Sequence, residues 1–219
     1  MKSFLSKALA VSLLVLLATG CATTQPAFDY TAFKESRPAS ILVLPPLNQS
    51  PDVLATDSVF SQVTLPLAEA GYYVFPVTLV HETFRQNGLS HPADIHEVEL
   101  SKLKDIFGAD AALYITIGQY GTTYAVIASE SRVSAGARLV DLRTGDVLWQ
   151  GSATASSAEG RNTSGGLVGM LVSAVVHQII ESSTNRAHPI AGITSNRLLA
   201  AGRPDGILYG PKSPRYLTD

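Results

Sequence analysis

The sequence predicts an α/β fold: a β-α-β-α start followed by an antiparallel meander, with helices packed on one face of a mixed sheet. Three observations lead there. Ser40-Ile41-Leu42-Val43-Leu44-Pro45-Pro46 is a short β-branched and leucine run stopped by two prolines, which suits a buried strand. Helical stretches closed by Gly71, Asn87-Gly88 and Gly108 alternate with further apolar runs. Arg143-Thr144-Gly145-Asp146 separates two strand-like segments and reads as a hairpin turn.

From the N-terminus, residues 1–20 have the three parts of an export leader. Lys2 and Lys7 supply positive charge, Ala8 to Leu17 is an uncharged apolar run, and Ala18, Thr19 and Gly20 are small residues before Cys21. The run is well short of the roughly 18 residues needed to span a bilayer. Leu17-Ala18-Thr19-Gly20-Cys21 resembles the box cut by the lipoprotein signal peptidase, with Ala18 in place of the more usual Leu. Cleavage between Gly20 and Cys21 would free an amine and expose a thiol for acylation. Each buried methylene adds about 0.8 kcal/mol, so several chains make a stable anchor. Cys21 is the sole cysteine, so packing alone must stabilise the domain. Ala22 in place of Asp after the cysteine points to the outer membrane, with the domain in the periplasm or at the cell surface.

Removal of 20 of the 219 residues leaves 199, enough for one core. The leader holds two lysines and no acid. The remainder carries 14 basic and 18 acidic residues, net −4 against −2 for the whole chain. That balance excludes the basic face a nucleic-acid partner requires.

Residues 21–38, rich in Thr, Gln, Pro and charge, read as a lipidated tether, residues 39–211 as a single domain, and residues 212–219 as a C-terminal tail. Within the domain, Asp57 is the expected N-cap of a helix to Ala70, kinked or shortened by Pro66. Tyr72 to Val77 reads as a strand and Thr78 to Gln86 as a helix. Pro92 opens a short helix, and Ser101 caps another that ends at Phe107. Ala111 to Tyr120, Thr122 to Ser129, Ser131 to Leu142 and Val147 to Ala155 read as strands, and Ser195 to Ala201 as a short helical patch. Leu167 to Ile180 is apolar on nearly every face. Its length and the pair His177-Gln178 favour a buried core helix, and Gly165, Gly169 and Ser173, spaced by four, allow a helix-contact or membrane-inserting stripe instead.

Catalytic signatures fail one by one. His81-Glu82 begins like a zinc-protease helix, yet the second histidine's place is held by Arg85. His91, Asp94, His96, Glu97 and Glu99 crowd together, but the two histidines are five apart and a solvated polar helix explains them. Ser101-Lys102-Leu103-Lys104 matches Ser-x-x-Lys without the partner motifs of that chemistry. Trp149 reads as core or sheet-edge packing, and Asn162-Thr163-Ser164 as an idle glycosylation pattern. No catalytic residue, metal ligand or cofactor site is expected, and the chain reads as a non-enzyme.

Several strings have a familiar order: Ile41-Leu42-Val43-Leu44-Pro45-Pro46-Leu47-Asn48, Gly71-Tyr72-Tyr73-Val74-Phe75-Pro76 and Leu113-Tyr114-Ile115-Thr116-Ile117. So do Ser134-Ala135-Gly136-Ala137-Arg138-Leu139-Val140-Asp141, Leu148-Trp149-Gln150-Gly151-Ser152-Ala153 and Leu171-Val172-Ser173-Ala174-Val175-Val176. From about Phe28 to Pro211 the chain resembles a family of bacterial lipoproteins of unknown function typified by a meningococcal genome-derived vaccine antigen. A looser similarity runs to curli-secretion-channel lipoproteins and to the N-terminal domain of the Tol-system β-propeller protein.

The resemblance implies an outer-membrane lipoprotein with no catalytic residue to carry over. Its neighbours would be envelope proteins such as a curli-channel-like lipoprotein. The resulting expectation is a partner-binding component of an envelope or secretion assembly; Tyr120, Tyr124 and Tyr216 would serve as contact aromatics if exposed, while half-buried sheet tyrosines explain them more simply. The alternative is a periplasmic lipid or small-molecule binding protein, with a cavity between the 167–180 helix and the sheet.

Overall fold

Two proline-stopped or glycine-stopped crossovers and one long hairpin series build a six-stranded mixed sheet. The computed structural model describes residues 28–124, 129–159 and 185–219. Gly20, Cys21, the 167–180 run with its small-residue stripe, and Asn162 lie outside the described residues. The described chain runs α1 (Thr31–Ser36), β1 (Ser40–Val43), β2 (Leu47–Asn48), α2 (Ala55–Gln62), α3 (Thr64–Glu69), β3 (Tyr73–Val74), α4 (Val77–Gln86), α5 (Pro92–His96) and α6 (Leu100–Phe107). It continues with β4 (Ala111–Tyr124), β5 (Ser129–Asp141), β6 (Val147–Ser156) and α7 (Ala187–Leu199). Strand order is β3-β1-β4-β5-β6, with β2 also pairing to β4. The pairs of β1 with β3 and β4 are parallel, and the β4-β5-β6 meander is antiparallel.

The expected α/β class with a mixed sheet is present, but helices cover both faces, not one. Val59, Phe60, Leu67, Ile190 and Leu198 pack with Ile41, Val43, Leu113 and Leu139 on the first face. Val80, Phe84, Ile95 and Leu103 pack with Leu42, Leu44 and Ala112 on the second. The reason lies in β1. Ile41, Leu42, Val43 and Leu44 are all fully buried, and a strand without alternation needs cover on both sides.

Several boundaries differ from the sequence reading. The helix expected from Asp57 to Ala70 is two helices, and Pro66 sits in the first turn of the second, where its missing N–H costs nothing. Asp57 and Ser101 lie inside first turns and cap nothing. The strand at Tyr72 shrinks to two residues because α4 starts at Val77. The three strands read between Ala111 and Leu142 are two. Gly121, at φ +136°, and a bulge between Ile117 and Gln119 let β4 continue where a break was expected.

The chain ends are more ordered than a tether and a tail. From Phe28 onward the expected tether packs: Phe33 is buried against the core, Phe28 and Tyr30 lie against it, and the Tyr30 hydroxyl donates to Gly206 O. In the C-terminal segment Lys212 N donates to Gly71 O (3.0 Å), and Tyr209 N donates to the Asp219 carboxylate (2.8 Å). The helical patch expected at Ser195 is the end of the 13-residue α7. Pro189 falls in its first turn, and Ile190, Ala191, Thr194 and Leu198 meet the sheet.

Candidate functional site

The helical cover of the second face stops partway across the sheet. Strands β4, β5 and β6 are far longer than β1 and β3, and their outward residues beyond Tyr114 meet no helix among those described. Along β5 the alternation is regular: Val133, Ala135, Ala137 and Leu139 are buried on the first face, and Arg132 and Arg138 are exposed on the second.

This bare zone contains a shallow trough of about 640 Å³. Its back wall is a cross-strand row, Tyr114 on β4 opposite Arg138 on β5 opposite Gln150 on β6. The next row is Thr116, Gly136 and Ser152, small residues that make a low floor. The Arg138 guanidinium lies 4.8 Å from the Tyr114 ring centroid, a cation–π arrangement. His96, the last residue of α5, meets the same ring edge-on at 5.2 Å and 86°.

His96 is held in place by the main chain. Its Nε2 lies 2.9 Å from Pro45 O, an acceptor only, so Nε2 carries the proton and donates. Burial pushes the imidazole pKa down; the Pro45 bond opposes this and Arg138 reinforces it. The ring is therefore neutral at pH 7, leaving Arg138 as the charge of the wall. Burial also raises the Tyr114 hydroxyl, which stays protonated.

A second hollow, about 690 Å³, lies further along β4 and β5, but there Arg132 is already paired with Glu130 at 2.6 Å. A smaller one, about 160 Å³, separates α1 from the C-terminal segment and is lined in part by Tyr216.

The side chains singled out in the sequence do not converge on chemistry. His91, Asp94, Glu97 and Glu99 are exposed, Glu99 facing Lys102, and His96 turns inward. Among the described residues no three His, Cys, Asp or Glu groups are placed to hold a metal ion. Ser101 is exposed, and Lys104 donates to Ala109 O at 3.0 Å with Asp110 nearby. His81 is exposed, and Arg85 is clamped to Glu82. Trp149 is buried, its Nε1 donating to Asp205 O at 2.9 Å.

Tyr120, expected among contact aromatics, is buried. Its hydroxyl donates to Ser58 Oγ (2.8 Å) and meets Asn185. Ser58 Oγ is also 2.8 Å from His188 Nδ1, and Gln62 Nε2 is 2.9 Å from His188 Nε2. A serine beside a histidine invites a nucleophile reading. Here the serine is 6% exposed and both ring nitrogens are occupied, so the group ties α2 to β4 and α7. The Tyr124 side chain is outside the described residues.

Sequence reasoning weighed His96 only as a metal ligand and missed the roles of Tyr114 and Arg138. They come from α5, β4 and β5 and share no local motif. The one available signal was an arginine following the small-residue run Ser134-Ala135-Gly136-Ala137 in a strand.

Residues 28–212 match the lipoprotein family described as "Putative lipoprotein GNA1162-like". The chain belongs to this family. Its relative "Putative lipoprotein NMB1124/NMB1162" of Neisseria meningitidis serogroup B (strain ATCC BAA-335 / MC58) is 53% identical over 209 residues, covering 94% of this chain and 96% of the relative. The crystal structure of lipoprotein GNA1162 from Neisseria meningitidis superposes with a TM-score of 0.53 at 57% identity, covering 66% of this chain and 100% of that one. A PelC dodecamer from Paraburkholderia phytofirmans aligns at 15% identity and a TM-score of 0.42, over 80% of this chain and 91% of that one.

Proposed function

We propose that this family member is an outer-membrane lipoprotein whose domain works without catalysis, as a partner-binding component of an envelope or secretion assembly. In this reading the leader is cut between Gly20 and Cys21, and acyl chains on Cys21 hold the domain at the membrane. A channel-like envelope lipoprotein is the first partner to look for. The observation that carries the reading is the bare second face of β4, β5 and β6. A solvated sheet face ordinarily carries many charges, and the stretch of this one between Arg138 and the Arg132–Glu130 pair is built of Thr116, Gly136, Ser134 and Ser152, with no charge of its own.

The binding of a lipid or small molecule finds less support. The trough is open, the hollow beside Tyr216, about 160 Å³, falls below the ~300 Å³ at which ligand sites begin, and the hollow between α4 and α6 lined by Phe84, Leu89, Val98 and Phe107, about 310 Å³, only reaches it.

In-cell crosslinking of the tagged full-length chain tests the proposal. A discrete envelope protein, captured in proportion to this chain and lost when the trough is blocked by Ser152→Trp, supports it. A chain that crosslinks to nothing overturns it. Labelled palmitate incorporation that persists in Cys21→Ser would refute the anchor separately.

A further inference from the structure

We propose that the trough receives an acidic side chain, an aspartate or glutamate carried by a polypeptide segment of the partner, and that Arg138 is the residue that reads it. This rests on the partner-binding reading above and adds the chemistry the partner must bring.

The argument starts from a contrast within one strand. Arg132 and Arg138 point from the same face of β5. Arg132 is neutralised by Glu130 at 2.6 Å, and Arg138 has no carboxylate within ion-pair distance among the described residues. The contact with the Tyr114 ring holds the guanidinium without consuming its N–H donors, which leaves them ready for a two-point carboxylate contact. The groups around it are uncharged: the hydroxyls of Thr116 and Ser152, the amide of Gln150 and the neutral imidazole of His96. Gly136 keeps the approach open, since a Cβ there would meet nothing nearer than Gly151 O at 3.7 Å. The charge of the exposed Glu97 is felt at His96 and Tyr114, and it makes no ion pair with Arg138 among the described residues.

The neighbouring sheet edge favours a polypeptide as the source of the acid. Ser157 N donates to Ser131 O, which fixes the pairing phase of β5 with β6. With that phase, the main-chain groups of Gln150, Ser152, Thr154 and Ser156 point away from β5. The far end is closed by the protein itself, with Arg197 on Thr154 O (2.8 Å) and Glu159 on Ser156 N (3.0 Å). Over Gln150 and Ser152 no hydrogen bond reaches the outward main chain among the described residues. That open stretch borders the trough and offers the alternating donors and acceptors a peptide main chain matches.

The test places a photo-crosslinking amino acid at Thr154, exposed one cross-strand row beyond the trough, in the full-length chain in cells and sequences the captured segment. The expected product is a segment of another protein containing Asp or Glu. Arg138→Glu lowers its yield about tenfold or more, Arg138→Lys retains part of it, and changing the partner's acid to Lys restores capture by the Arg138→Glu chain. Arg138→Gln, which removes the charge without reversing it, gives an independent second reading. Thermal melts of each variant confirm that the fold is kept. A yield indifferent to position 138 overturns acid recognition and leaves the partner-binding reading intact. Capture of a second copy of this chain, or of no polypeptide from Thr154 while a lysine-reactive crosslinker still finds a partner, overturns the inference alone. Loss of capture by both reagents overturns both.

Discussion

Replacing Gly71 by alanine tests whether the C-terminal segment is part of the fold. Gly71 has φ +99°, a conformation open to glycine and strained by about 1–3 kcal/mol for other residues. A Cβ there would also overlap Ser213 N, and would lie 2.7 Å from Ser213 Cβ and 2.8 Å from Gly210 O. Most of these atoms are backbone, so the segment must move. Movement gives up the bonds Lys212 N to Gly71 O and Gly210 N to Ala70 O, each worth about 0.5–1.5 kcal/mol. The expected loss is about 2–6 kcal/mol, a large fraction of a typical stability. Gly88→Ala is the control: φ is +80° and a Cβ there meets nothing within 4 Å, so it carries backbone strain alone. Urea unfolding of the mature chain, followed by the fluorescence of Trp149, the sole tryptophan, gives both values. The two substitutions should differ by at least about 1 kcal/mol. Equal losses would mean that the segment does not lie against Gly71.

Tyr120→Phe removes the hydroxyl that joins Ser58 and Asn185, and urea titration should register a loss of about 1–2 kcal/mol; an unchanged midpoint would place that hydroxyl in water. Gly151→Ala would set a Cβ 2.5 Å from Trp149 Cζ2 and 3.0 Å from Cη2, so about 1–3 kcal/mol of stability and the indole's emission maximum should both shift. For Asp110, burial raises the carboxyl pKa, but bonds from the Ser40 hydroxyl and the Ala39 and Ser40 amides, with Lys104, outweigh it and leave the value lowered. Its contribution is full above the unfolded value of about 3.9 and disappears as pH falls through the lower folded value, so Asp110→Asn should flatten the acid limb of stability below about pH 4. An unaltered acid limb would refute that assignment.

Much of this fold was legible because its signals are local. Two prolines end the β1 segment, Gly108 takes the left-handed conformation that stops α6, and Arg143 to Asp146 turn the chain from β5 into β6. The misreadings came from tertiary terms. Thr31–Ser36 is polar and short, and it is held as a helix by burial of Phe33. Ala187–Leu199 contains a proline, a glycine and β-branched residues, each unfavourable in isolation, and sheet contact outweighs them. One signal for two-sided cover was present and pointed the right way. Four consecutive apolar residues, Ile41 to Leu44, describe a strand buried on both faces. The site was less legible than the fold, because its wall draws one residue each from α5, β4, β5 and β6.

The extent of the bare face follows from unequal strand lengths. β1 and β3 have four and two residues, and the α4–α6 crossover between β3 and β4 is long enough to roof them and the start of β4. β4, β5 and β6 have 14, 13 and 10 residues, and on the first face α2 and α7 follow them much further. On the second face nothing in the described chain does so. A sheet left to water usually protects itself with charge, especially lysine near its edge. Here the outward positions between Arg138 and the Arg132–Glu130 pair, Thr116, Gly118, Ser134, Gly136 and Ser152, hold no charge and little bulk. Small residues let another backbone approach closely, and a stacked arginine fixes where it settles. A surface with those two properties is better matched to being covered than to being solvated, and that is the physical case for a partner on this face.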